Sequence, residues 1–140
     1  MSLSIRNQLP GTVTAVTPGE AMATVKVRLD GGQELTTAIT LEAVKELGLA
    51  EGSTVRALVK STEISLATGS VDGLSIRNRI PGTVTDIATG GAMASVKVSV
   101  DGGHLTAAIT KDAVTDLGLG TGTAVIIALI KSTEVSLATV

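Results

Sequence analysis

The chain has 140 residues, a formal net charge of −2 and 44% apolar residues, yet no Phe, Tyr, Trp or Cys. No disulfide framework or Cys/His metal staple can form, and the scattered cations argue against a nucleic-acid groove, which needs clustered Lys and Arg and, for single strands, stacking aromatics. No apolar run is long enough for a membrane helix, and Met1 to Arg6 lacks the basic and apolar regions of a secretory leader, so the cytoplasm is the expected compartment.

Leu3-Ser4-Ile5-Arg6-Asn7 returns letter for letter as Leu74-Ser75-Ile76-Arg77-Asn78. Each copy runs into Pro-Gly-Thr-Val and closes on Lys-Ser-Thr-Glu, at Lys60 to Glu63 and Lys131 to Glu134. Ser4 to Ser75 and Lys60 to Lys131 are both steps of 71 residues, so two units lie head to tail. The predicted division is a first domain over 1–67, a linker over 68–73 and a second domain over 74–140. Units of ~65 residues bury only about 60% of their unfolded surface and are marginal alone, the more so without aromatics. Packing of repeat on repeat and chain on chain must supply the rest, which predicts an oligomer.

In chain order, Thr12 to Val16 reads as a short strand. From Ala21 to Leu29 the residues alternate, with Ala23, Val25, Val27 and Leu29 on the inner face and Met22, Thr24, Lys26 and Arg28 outside; repeat two preserves this with Ala94, Val96, Val98 and Val100. Thr17-Pro18-Gly19 and Asp30-Gly31-Gly32 supply turn chemistry on either side. Leu35 to Ile39 is a third strand. Thr40 then stands as helix N-cap, with Glu42 in the first turn and Gly48 as the stop; Thr110, Asp112 and Gly118 repeat the pattern. Thr54 to Val59 and Ile64 to Ala67 complete five strands. The matching fourth strand of repeat two, Ala124 to Ile130, is an uncharged β-rich run that would aggregate if exposed, so it is expected at an interface. The short linker makes the two units neighbours. The predicted fold is all-β with one short helix per repeat, as two tandem OB-type five-stranded Greek-key barrels.

Ser4, Arg6, Lys60 and Ser61, with their copies Ser75, Arg77, Lys131 and Ser132, bring hydroxyls, cations and main-chain N–H groups to strand ends. Such a donor-rich set suits a small anion carrying full negative charge. The plain alternative is a set of solvated surface residues. Gly118-Leu119-Gly120-Thr121-Gly122 follows a helix rather than opening one and reads as a helix stop, not a phosphate loop. His104 has no counterpart in repeat one and reads as an exposed hairpin residue. Glu63 and Glu134 lack the nucleophile or second base that catalysis would need, so no enzyme activity is expected.

Ser-Ile-Arg-Asn followed by Gly-Thr-Val, and Lys-Ser-Thr before a last strand, twice at this separation around an Asp-Gly-Gly turn and a Thr-capped helix, resemble the Mop domain of molbindins. The resemblance covers both repeats. It implies a cytoplasmic protein that stores or buffers molybdate or tungstate, with no catalysis and no cofactor, the metal being bound only as its oxyanion. It further implies a homotrimer of six domains holding oxyanions between domains and subunits, without nucleic-acid or membrane partners. By that resemblance Ser4 and Ser75 give hydroxyls, and Arg6 and Arg77 give chiefly main-chain N–H groups. Lys60, Ser61, Lys131 and Ser132 complete the pocket, and Thr40 and Thr110 match a further hydroxyl position. Two departures stand out. Ala43 and Ala113 replace a serine that many relatives direct at the anion, and Met22 and Met93 replace a polar residue lining the family's second kind of site. Two rival readings are a sensing module of a transporter or transcription regulator, against which the native-looking Met1 speaks, and a purely structural oligomer.

Overall fold

The computed structural model describes residues 2–140, excepting the side chains of 124–126. Repeat one contributes β1 (Asn7–Pro18), β2 (Met22–Leu29), β3 (Glu34–Thr40), α1 (Leu41–Leu47), β4 (Thr54–Val59) and β5 (Ile64–Thr68). Repeat two contributes β6 (Asn78–Thr89), β7 (Met93–Val100), β8 (Gly103–Thr110), α2 (Lys111–Asp116), β9 (Ala124–Ile130) and β10 (Ser136–Thr139). A three-residue 3₁₀ turn precedes each last strand, at Ser61–Glu63 and Ser132–Glu134. The all-β fold with one short helix per repeat is as the sequence predicts, in two curled five-stranded sheets.

Local chemistry accounts for most boundaries. Alternation puts Ala23, Val25, Val27 and Leu29 in the core and leaves the residues between them exposed. Thr40 Oγ1 accepts from Ala43 N at 3.1 Å and Thr110 Oγ1 from Ala113 N at 3.1 Å, satisfying one orphan donor of each helix. Gly48 ends α1 in the left-handed region at φ 61°, where any side chain would be strained. The first strand is longer than expected, starting at Asn7 instead of Thr12. Pro10-Gly11 does not break it, because Pro10 still accepts from Asp30 N at 3.0 Å, and Gly11 lies where β2 crosses closely: a Cβ there would sit 2.7 Å from Arg28 O.

The strand order departs from two self-contained barrels. It runs β10-β4-β1-β2-β3 in one sheet and β5-β9-β6-β7-β8 in the other, so each repeat gives its last strand to its neighbour. Ile64 of β5 pairs with Ile130 of β9, and Ser136 of β10 with Leu58 of β4. The chain division at 67 and 74 is therefore not the division of the sheets. From Lys60, with extended φ −66° and ψ 141°, the chain makes one tight turn, leaves in the extended conformation at Ile64 and crosses to pair with β9. β9, expected at an interface, is internal to its sheet, flanked by β6 and the borrowed β5; Ala128, Leu129 and Ile130 are buried, while the side chains of 124–126 lie outside the described residues.

The exchange answers the small size of each repeat. Residues of both repeats, from Val13 through Ile64, Ile80 and Ile130 to Val135, form one apolar cluster. Ile64 is 2% exposed and Val135 1%, each inside the other repeat's barrel. Burial of one such side chain is worth roughly 1.5–3 kcal/mol.

Candidate functional site

The two Lys-Ser-Thr-Glu segments are the crossovers of this exchange. Asn7 pairs with Val59 at the end of the β1–β4 ladder, so Arg6 and Lys60 each stand one residue beyond it. Asn78 pairs with Ile130, which places Arg77 and Lys131 in the same way. Because Ile64 also pairs with Ile130, Glu63 at the end of the first crossover comes beside Lys131. Continuing the Ser136–Leu58 register brings Glu134 beside Lys60. Each crossover thus begins at one lysine and ends at the other. Backbone register thus gathers Arg6, Lys60, Ser61, Arg77, Lys131 and Ser132 along one seam, with Glu63 and Glu134 at the ends of the crossovers.

Two asparagines fix that seam. Asn7 Nδ2 donates to Thr106 O at 2.9 Å and its Oδ1 accepts from Thr106 N at 2.8 Å; Asn78 makes the same two bonds with Thr36, both at 2.8 Å. Asn7 also donates to Val59 O at 3.1 Å. Both asparagines are 2% exposed, so one repeat is bolted to the other by buried amides immediately after the Ser-Ile-Arg triplet. Thr37 Oγ1 donates to Val135 O and closes the first barrel against the incoming chain. The asparagines were part of the repeated motif, but nothing in the residue type alone marked them as the link between barrels.

Within the crossovers, Ser61 Oγ is buried and has no hydrogen-bond partner among the described residues. A buried hydroxyl left unpaired costs about 1–3 kcal/mol, which makes it a donor waiting for an acceptor. Ser132 is likewise half-buried, whereas Ser4, Arg6, Lys60, Ser75, Arg77 and Lys131 are exposed. Thr40 and Thr110 stand apart. Each caps its helix at the far end of its strand, opposite Met22 and Met93, and no described hydrogen bond joins it to the crossovers. Thr40 lies about 10 Å along the strand from Thr37, in a shallow hollow with Glu20, Glu42, Lys45 and Glu46. Met22 and Met93 are 48% and 47% exposed, a matched apolar pair on the outer surface. His104 is exposed in its hairpin and Gly118 ends the helical segment at φ 62°, as the sequence suggests. Among the described residues no His, Cys, Asp and Glu group could hold a metal cation.

The model of the TOBE domain matches residues 3–66 and again 74–137. The chain belongs to the TOBE-domain family. Both TOBE repeats align with the molybdenum-pterin-binding protein MopB of Rhodobacter capsulatus, 40% identical over 137 residues, or 96% of this chain and 50% of that protein. The molybdenum transport protein ModE of Herbaspirillum seropedicae is 36% identical over 124 residues, 87% of this chain and 46% of its own. The chain spans about half the length of these curated relatives. A single TOBE repeat matches nearly all of molybdenum-pterin-binding protein 2 of Clostridium pasteurianum, 42% identical over 66 residues and 97% of that protein. The solved structure of the cytoplasmic molybdate-binding protein ModG, with molybdate bound, superposes with a TM-score of 0.96 at 41% identity and full coverage of both chains.

Proposed function

We propose that this protein binds molybdate or tungstate at the crossover seam and stores or buffers it without chemical change. The observation that carries the reading is the buried, unpartnered Ser61 hydroxyl between Lys60 and the crossing chain, in a segment written twice. Every group supplied by the Ser-Ile-Arg and Lys-Ser pairs is a donor or a cation. Such a pocket favours a fully deprotonated dianion and disfavours phosphate, which keeps a proton near neutrality. Ser4, Arg6, Lys60 and Ser61 hold one anion and Ser75, Arg77, Lys131 and Ser132 another, with Thr40 and Thr110 joining from a neighbouring domain or subunit. The names of MopB and ModG support molybdate as the guest.

In the same reading the protein is cytoplasmic and acts as a homotrimer of six barrels. The repeated exposed apolar residues Leu3 and Leu74, Met22 and Met93 suit burial between subunits. Partial-length similarity to ModE keeps one alternative in view, a sensing module of a larger regulator; a partner that co-purifies only with molybdate loaded would favour it. Native mass spectrometry with molybdate, tungstate and sulfate gives chain count and anion count together. Uptake of the first two in fixed ratio to the chains is expected. Sulfate has the same charge and shape, and size alone separates it by only ~1–3 kcal/mol, so weaker sulfate uptake is the predicted result. Absence of any bound oxyanion would remove the proposal.

A further inference from the structure

The two cradles are not equivalent, and one residue makes the difference. Arg79, in repeat two, donates through Nε to Ile76 O at 3.0 Å and through Nη2 to Leu74 O at 2.6 Å. These carbonyls bracket Ser75. In a planar trans peptide the C=O of one residue and the N–H of the next point in opposite directions. Holding the Leu74 and Ile76 carbonyls toward Arg79 therefore turns the Ser75 and Arg77 N–H groups toward the other side, as a pair. Two amides aimed to the same side can donate together to one oxyanion. The loop from Leu74 to Arg77 lies outside any strand, and the Arg79 fork ties down two of its peptides.

Repeat one has Gln8 in that position. Gln8 Nε2 reaches Ile5 O at 3.1 Å, and this is its one described hydrogen bond, so a single peptide is held where Arg79 holds two. Arg79 also adds a charge: Ile76, Arg77 and Arg79 line one open hollow, while Ile5, Arg6 and Gln8 bring one cation to the equivalent place. We propose that Arg79 is a positioning residue that pre-organises the Ser75/Arg77 amides, so that the oxyanion site of repeat two fills first and the protein has two affinity classes. This rests on the oxyanion reading above. Arg79 need not touch the anion, and the gain comes from a loop already ordered before binding.

The test is calorimetric titration of the full chain with sodium molybdate, alongside amide NMR of Ser75 and Arg77. Wild type should show two classes of site. Arg79→Gln should weaken the tight class by about three- to fivefold, the scale of exposed charged contacts, bring the two classes together, and shift the Ser75 and Arg77 amide resonances of the unloaded protein. Gln8→Arg should tighten the weak class toward the tight one, an effect no loss of folding can imitate. Arg79→Lys keeps the charge but not the planar fork and should behave like Arg79→Gln. Unchanged isotherms in Arg79→Gln, no gain in Gln8→Arg, or full binding in Arg79→Lys would overturn the positioning role while leaving the oxyanion site standing. A wild-type chain that binds no molybdate would overturn both.

Discussion

Ser61 and Asn7 stand within a few residues of the same seam and should respond to truncation in opposite ways. Ser61 Oγ is buried without a partner, so Ser61→Ala removes an uncompensated hydroxyl. The unloaded variant should melt at or slightly above the wild-type temperature yet bind molybdate more weakly. A lower melting temperature with unchanged affinity would show the hydroxyl to be structural. Asn7→Ala instead removes three hydrogen bonds and leaves Thr106 and Val59 groups unpaired in the interior. We expect a loss of roughly 2–4 kcal/mol in urea denaturation, several net hydrogen bonds' worth; a change within error would contradict the bolting role. The sequence made Ser61 conspicuous because its motif recurs. It could not show Asn7 as the tie between barrels, since the partner in the other repeat, Thr106, lies on β8, 99 residues away.

At the scale of strands and helices, legibility followed locality. The alternating faces of β2 and β7, the Thr40 and Thr110 caps and the Gly48 stop all depend on neighbours within four residues, and all were readable. The start of β1 was missed because Pro10-Gly11 looks like a breaker until the close crossing of β2 is seen. Gly82 occupies the same crossing in repeat two, where a Cβ would lie 2.5 Å from Ser99 O. Gly82→Ala should therefore cost about 1–3 kcal/mol through forced displacement of β7, measurable as a lowered denaturation midpoint; no change would mean the strands give freely. The strand exchange was the least legible feature. A three-residue turn can send a strand back or across, and only the partner's geometry decides which. Its trace in the sequence was the apolar Ala124 to Ile130 run, which needed covering and receives β5 on one side.

Across the whole molecule, exchange joins the repeats through a shared apolar cluster, so they are expected to fold as one unit. Residues 1–70 alone would carry β5 with no β9 to receive it. That fragment should be unfolded, or dimeric with β5 exchanged between copies, by circular dichroism and sedimentation; a folded monomer would contradict the interlock. The same crossing that completes each barrel gathers cations from both repeats at the seam, so in the proposed reading fold and binding site share one device. Duplication singled out the candidate residues in the sequence by writing them twice, whereas Arg79 is written once and drew no notice.

The central claim is that the paired crossovers hold a dianion, and titration of the Lys60→Ala, Lys131→Ala double variant with molybdate tests it most directly. Both lysine side chains are exposed and make no described hydrogen bond or ion pair, so the variant should keep its fold and assembly while losing most of its binding. Wild-type stoichiometry and affinity in that variant would contradict the site.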